Sequence, residues 1–218
     1  MDAYNPLPGI EQISVNQNPG IYSPDSTYAI FFYETKESLM DPESYRAFLK
    51  NCERRIRQSP AYSNYKGHLM GLGLDHCQVH GYINGDMATL EMHHCILTLF
   101  DIVLMVTEHF LNTTGYVSTF DVVQAVKDEH KQNNIAIVML TKTPHQLYHN
   151  DRSFFIHPDM CVGNWGYLIE KYRDGLTQDL AFKLLYYIKK SLETGVSDDG
   201  GLLKLRETIL DWSSRNVS

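Results

Sequence analysis

Histidine pairs are the residues of this sequence best suited to chemistry. The stretch LTKTPHQLYHN, residues 140–150, holds His145 and His149 four positions apart, after a Thr-Pro pair. On a helix, residues four apart lie on one face about 6 Å from each other, so two imidazoles can converge on one metal ion at about 2.1 Å each. The chain contains ten histidines, and roughly half of such chains carry this spacing by chance. Two polar residues on a solvated helix therefore stay open as an alternative.

Two other histidine pairs lie in segments that predict strands, and strand geometry distinguishes between them. His76 and His80 have the same spacing in a segment that predicts a strand, where residues four apart are about 13 Å from each other. The adjacent His93 and His94 end the segment ATLEMHH, and neighbouring side chains on a strand point to opposite faces. Glu91 shares a face with His93 in a regular strand. Geometry therefore rejects the four-apart pair on the strand and makes the adjacent pair a source of further site residues.

The segments around these residues predict an α+β fold. Helix starts are predicted where a capping residue precedes a first-turn Pro or pairs with an acid three positions on: at Asp41-Pro42, Ser59-Pro60, Thr98 with Asp101, and Ser118 with Asp121. Strands are predicted at 27–35, 76–83, 88–94 and 134–140, the middle two joined into a hairpin by the turn sequence NGDM. Thr143 is predicted to cap the helix of the histidine pair, with Pro144 at its first position. Two helices, about 177–193 and 201–213, are expected near the C-terminus.

Composition limits the class of protein. Hydrophobic residues make up 43% of the 218 positions and charged residues 21%, as in soluble globular proteins. The net charge of −7 counts against extensive coating of nucleic acid. The four scattered cysteines favour a reducing compartment over a disulfide framework. Because no signal-peptide pattern and no membrane-length apolar run is visible, we expect a soluble, intracellular protein.

The order of these elements resembles the HNH, or ββα-metal, endonuclease family. A strand ends in His93-His94, Asn133-Asn134 follow, and a second strand leads to the capped helix with His145 and His149. The resemblance implies His93, His145 and His149 as metal ligands, His94 as the general base, and Asn133 or Asn134 as the residue that orients it. It covers about residues 75–150. The segment between the histidine pair and the asparagines is far longer than in compact members and holds two predicted helices, and the cysteine pairs of many members are absent.

This resemblance implies a metal-dependent endonuclease, encoded by a phage, that hydrolyses phosphodiester bonds in nucleic acid in the host cytoplasm, with DNA the expected substrate. One divalent cation (Mg, Mn, Ni or Zn) would stabilise charge on the phosphoryl group, and neutral His94 would take a proton from the attacking water. His130 is either a partly buried helix residue or a further candidate to reach the site. The alternative is a non-catalytic phage structural or partner-binding protein that retains a degenerate HNH fold. We favour the enzyme over this alternative.

The expected organisation has three parts. Residues 1–40 form an N-terminal arm and strand, and residues 41–175 form an HNH-like α+β domain, a ββα-metal core with helical insertions. Residues 176–218 form C-terminal helices packed on the same domain. The apolar face of residues 180–190 either closes the core or makes a homodimer contact, and the sequence does not choose between the two.

Overall fold

The computed structural model describes residues 33–151, 154–194 and 201–216. In these ranges the protein is α+β and mostly helical, with two small sheets of two antiparallel strands each. The predicted α+β class is confirmed. The predicted arm, residues 1–26, and most of the strand predicted at 27–35 lie outside the described residues. The division into arm, domain and terminal helices stays a prediction.

Helices and short strands follow each other along the described residues. The strands are β1 (Glu34–Thr35), β2 (Leu90–His94), β3 (Tyr116–Val117) and β4 (Ile137–Thr141). The helices are α1 (Pro42–Arg57), α2 (Pro60–Gly71), α3 (Leu99–Thr113), α4 (Thr119–Lys131), α5 (Lys142–Asn150), α6 (Trp165–Lys171), α7 (Gln178–Glu193) and α8 (Gly201–Asn216). Two single 3₁₀ turns lie at Pro158–Met160 and Arg173–Gly175.

The first four helices start where capping residues predict them. The side chains of Asp41, Ser59 and Ser118 each accept a hydrogen bond from the backbone N–H three residues further on. Thr98 and Asp101 form the reciprocal capping box that opens α3. These bonds satisfy N–H groups that the first turn of a helix leaves without a backbone partner, so local sequence fixes where each helix begins.

The sheet of β2 and β4 carries the predicted site residues. The strands are antiparallel, with His93 opposite Val138 and His94 opposite Ile137. Every residue of β4 is buried, so this strand runs through the interior. Because successive side chains point to opposite faces of a strand, His93 and His94 face different sides of the sheet. His93 and His94 therefore lie in different surroundings, one on each side of β2.

One large hydrophobic core extends through most of the described part of the chain, beside a small buried cluster of Cys77, Leu90 and Met139. Ile102 of α3 and Val138 of β4 belong to the same buried cluster as Leu184 and Ile188 of α7 and Ile209 of α8. The helix α1 packs against α3 and α4, and α8 packs against α7. The core thus fixes the position of β4, and through β4 the positions of β2 and α5.

The predicted hairpin is wrong. His76 makes a single antiparallel bridge with Asn84, and residues 76–83 do not form a strand. The partner of β2 is β4, which is distant in sequence and wholly buried. Burial against the core decides this pairing, and a local turn sequence cannot reveal it. The predicted ββα-metal core is not confirmed, because α3, β3 and α4 separate the two paired strands along the chain.

The predicted start of α5 is also shifted. The N-cap is Thr141 rather than Thr143, and no side chain hydrogen-bonds to the first turn. Pro144 lies within the first turn and is the buried residue of this helix. A proline is tolerated there because the N–H groups of a first turn have no helical partner. The helix therefore begins directly at the end of β4.

Candidate metal centre

Three predicted site residues come together where α5 meets β2. Because α5 follows the last residue of β4, and β4 pairs with β2, the helix lies beside the strand that carries His93. The ring centroids of His93 and His145 are 4.8 Å apart, those of His93 and His149 5.2 Å, and those of His145 and His149 4.9 Å. The strand pair and the helix thus position three imidazoles around one point.

The ring nitrogens of this three-histidine cluster are close enough to share an ion. One nitrogen of each ring lies within 4.8 Å of the other two, and the Nε2 atoms of His145 and His149 are 3.2 Å apart. Around a tetrahedral zinc ion, ligand nitrogens are about 3.4 Å from each other. The Nε2 atom of His93 is buried and has no hydrogen-bond partner, and such an orphaned polar atom is uncommon in proteins.

Glu91 fixes the orientation of His145. Glu91 and His93 are two positions apart on β2 and share a face, which brings the Glu91 carboxylate to Nδ1 of His145, from which it accepts a hydrogen bond. With the proton on Nδ1, Nε2 of His145 carries a lone pair on the side of His149. A carboxylate behind a ligating imidazole is common at metal sites, because it fixes the tautomer and raises the basicity of the ring.

The surroundings of the cluster favour neutral imidazoles. Burial, together with the neighbouring His145 and His149, lowers the pKa of His93 from 6.5 to about 3. Burial and His145 also lower the pKa of His149, although this residue is exposed. Neutral imidazole is the form that binds a metal ion. At neutral pH, neither ring has to lose a proton before an ion binds.

His94 lies on the other side of β2, away from the three-histidine cluster. Its ring stacks on Tyr62 at 5.9 Å and lies 5.2 Å from the ring of His130. The Nε2 atoms of His94 and His130 are 3.0 Å apart, and Nδ1 of His130 donates to the carbonyl of Val126 at 2.7 Å. His130, a sequence candidate for the metal site, is thus a partner of His94. The strand itself separates this pair from the cluster.

The two asparagines serve the turn between α4 and β4. Asn133 has a left-handed backbone, with φ of 56°, which Asn adopts more readily than most residues. Its carbonyl accepts a hydrogen bond from the N–H of Asn164 at 2.7 Å. The side-chain amide of Asn134 donates to Glu129 at 2.7 Å. Both asparagines therefore have local partners at the start of β4 and are not part of the cluster.

Tyr148 is a neighbour of the cluster that sequence reasoning missed. Its ring lies 4.5 Å from the ring of His93 and covers one side of that imidazole. The signal was present in the spacing, because Tyr148 is three positions after His145 and lies near it on the same helix. Glu91 was assigned to the face of His93, but its bond to His145 depends on where α5 packs.

The buried His94–His130 pair predicts that acid destabilises the fold. Burial lowers the pKa of His130 from 6.5 to about 4, so the unfolded chain binds a proton in a pH range where the folded chain does not. The stability is fully present above pH 6.5 and is lost as the pH falls towards 4. The loss attributable to His130 is about 2 kcal/mol at pH 5.

Urea denaturation across this pH range measures the effect. A His130→Gln variant is expected to be less stable at neutral pH but to lose less stability on acidification. Burial lowers the pKa of His93 and of His94 in the same direction, so this variant keeps a residual slope. His68→Gln, which changes an exposed residue, should behave as the wild type. Equal pH slopes for the wild type and His130→Gln would contradict the prediction.

Comparison with known protein families gives a match over most of the chain. A family model described as bacteriophage G278-like virion protein matches residues 12–215. No curated protein and no solved structure matches the chain. The matched range extends from the N-terminal segment through α7 and into α8, so it takes in both faces of β2 and the three-histidine cluster.

Proposed function

We propose, since the chain belongs to the bacteriophage G278-like virion protein family, that it is a non-catalytic structural component of the phage particle. The observation that carries this proposal is the extent of the family match, residues 12–215. A match over that range concerns the whole folded body rather than one appended segment. The proposal corresponds to the alternative function considered from the sequence, a structural phage protein without enzymatic activity.

The assignment to the HNH endonuclease family is wrong. The virion protein family accounts for residues 12–215, whereas the HNH resemblance rested on a few histidines and asparagines in a particular order. Such short motifs recur by chance, and the helices between the paired strands had already departed from the family pattern. The predicted nuclease and hydrolase activities depended on that assignment and are wrong as well. The prediction that a phage encodes the chain is confirmed by the family.

The position of His94 supports a non-catalytic function. A general base must lie within hydrogen-bond reach of the water that it activates, close to the metal-bound phosphate. His94 is 5% exposed, its Nε2 is engaged with His130, and β2 lies between it and the three-histidine cluster. A base in this position cannot act together with an ion held by His93, His145 and His149.

An apolar groove between the C-terminal helices suits assembly in a particle. Tyr186 of α7 and Leu210 of α8 line it, and both side chains are exposed. Phe182, one turn before Tyr186, is 60% exposed. Exposed apolar surface of this kind is typical of protein contacts. The homodimer expected through these helices stays a prediction, and the inner faces of α7 and α8 close the core.

Location and nucleic-acid binding were both predicted from the sequence. Among the described residues, the helices are too short or too polar to cross a lipid bilayer. The family description concerns the virion, so the predicted host-cytoplasmic location does not follow from it. The predicted nucleic-acid partner was part of the endonuclease hypothesis and stays a prediction without further support.

Purified phage particles provide the test of this function. Quantitative mass spectrometry of particles from the encoding phage is expected to find the chain at a fixed number of copies per particle. The number should persist through density-gradient purification, because a structural component does not wash off. Absence of the chain from purified particles would contradict the proposal.

A nuclease assay supplies the control. Plasmid DNA incubated with the protein and Mg²⁺, Mn²⁺, Ni²⁺ or Zn²⁺ should stay intact, and His94→Gln should give the same result as the wild type. Cleavage by the wild type that this substitution abolishes would overturn the non-catalytic assignment.

A further inference from the structure

We propose that His93, His145 and His149 bind one transition-metal ion of the zinc class, which fastens α5 to β2. The inference goes beyond the function in the particle and does not depend on it. It rests on three features: ring nitrogens within 4.8 Å of one another, the unpartnered Nε2 of His93, and the Glu91 carboxylate behind His145.

The donor atoms select the class of ion. Three neutral imidazoles suit Zn²⁺, Ni²⁺ or Cu²⁺, whereas Mg²⁺ and Mn²⁺ prefer oxygen ligands. The carboxylate of Glu91 is bonded to Nδ1 of His145 and is not among the ligand atoms of the three-histidine cluster. Among the ions expected from the sequence, the donor set therefore favours Zn²⁺ and Ni²⁺ over Mg²⁺ and Mn²⁺.

The orphaned nitrogen of His93 gives the ion a role in folding. A buried imidazole without a hydrogen-bond partner costs free energy, and a bond to a metal ion supplies the missing partner. In the absence of an ion, His145 and His149 can bond to each other through Nε2, but His93 gains nothing from that bond. Only an ion bonded to all three rings would give the Nε2 atom of His93 a partner as well.

The attachment of α5 shows what such an ion would stabilise. Pro144 is the buried residue of this helix, and its first turn has no side-chain cap. The second half of α5 is held through the rings of Tyr148 and the two histidines, which contact His93. An ion bonded to His93 on the strand and to His145 and His149 on the helix would join the two elements directly.

The placement of His94 favours a structural ion. Three protein ligands leave a fourth tetrahedral position that water can fill. The hydrolysis expected from the sequence also needs a general base beside that position, and His94 is on the opposite face of β2. Binding that orders α5 against the sheet is therefore the chemical consequence that this geometry supports.

Equilibrium dialysis of the full-length, untagged protein against ZnCl₂, followed by elemental analysis, tests the site. We expect one zinc per chain, no retention of Mg²⁺, and a melting temperature that rises with zinc and falls back with a chelator. His145→Gln and His149→Gln should each weaken zinc binding by at least about tenfold. The double variant His76→Gln, His80→Gln is the matched control, since it removes the other pair of the same spacing, and it should bind zinc as the wild type does.

Two further measurements keep the test decisive if a ligand variant folds poorly. His149 is exposed, so His149→Gln is not expected to disturb the core, and circular dichroism checks this. Glu91→Gln leaves all three ligands in place and should weaken zinc binding by about 10- to 100-fold.

The outcomes separate cleanly. Absence of bound zinc, or equal affinity in His149→Gln and the wild type, would overturn the site. Zinc bound through these histidines without a change in melting temperature would overturn the fastening of α5. Because these readouts are metal binding and stability, they are separate from the measurement of copy number in the particle.

Discussion

Replacing Glu129 by alanine is expected to lower the free energy of unfolding by about 3–5 kcal/mol. Glu129 is 1% exposed, and its carboxylate accepts hydrogen bonds from the ammonium of Lys171, the hydroxyl of Tyr172 at 2.9 Å and the amide of Asn134 at 2.7 Å. Alanine leaves the hydroxyl of Tyr172 without this acceptor in the interior. It also leaves the amide of Asn134 with the longer bond to Gln132, at 3.3 Å. Lys171 is partly exposed, so water compensates part of its loss.

Urea denaturation at neutral pH measures this change. Glu129→Gln keeps the size and one acceptor oxygen, so it should cost less than alanine. Glu170→Ala, an acidic residue on the exposed side of α6, is the matched control and should stay within about 0.5 kcal/mol of the wild type. A Glu129→Ala protein as stable as the control would show that these bonds contribute nothing.

Replacing Gly175 by alanine is expected to cost about 3 kcal/mol or more. A Cβ atom at this position would lie 1.8 Å from the carbonyl oxygen of Met105 and 2.6 Å from the backbone nitrogen of His109. Both atoms belong to the backbone of α3, which the core holds in place. The 3₁₀ turn around Gly175 must therefore move away from α3, and the packing of Tyr172 and Leu176 is lost with it.

Thermal and urea denaturation of matched glycine variants test this contact. Gly166→Ala is the control, because Gly166 lies in α6 and a Cβ there would have no atom within 4 Å. Alanine in a helix should leave the stability unchanged or raise it by about 0.5–1 kcal/mol. If Gly175→Ala and Gly166→Ala had the same effect, the close approach to α3 would not exist in solution.

Helix starts were the part of the fold that local sequence could predict. A capping side chain and the N–H group that it satisfies are three residues apart, so Asp41, Ser59, Thr98 and Ser118 reveal their roles within one turn. At α5 the same reasoning chose Thr143, but the chain leaves a buried strand at Thr141 and turns into the helix there. The core fixes the end of β4 at Thr141, and this position rather than the capping signal of Thr143 determines where α5 begins.

Strand pairing could not be predicted in the same way. The sequence NGDM is typical of a hairpin turn, yet β2 pairs with β4, a strand of apolar residues that the core encloses on both sides. The choice between two partners depends on how much apolar surface each buries. That quantity is a property of the folded body and cannot be read from a short segment.

The candidate site was predictable only where one element decided its geometry. Helical spacing placed His145 and His149 together, and strand alternation placed Glu91 on the face of His93 and His94 on the other. The partner of His94 depended on where α4 packs, and so the sequence left open whether His130 is a partly buried helix residue or reaches the site. The family assignment was wrong because the order of a few histidines and asparagines along the chain does not specify their arrangement in space.

The pairing of β2 with β4 has a consequence for the order of events during synthesis. The two strands enclose α3, β3 and α4 in a long loop of chain, and closing a loop costs more entropy the longer it is. A ribosome-bound chain cannot complete this sheet until the codons for β4 have been translated. The strand β2, which carries His93, therefore stays unpaired until β4 has been synthesised. The helix α5 follows β4 in the chain, so it is the last of these three elements to be made.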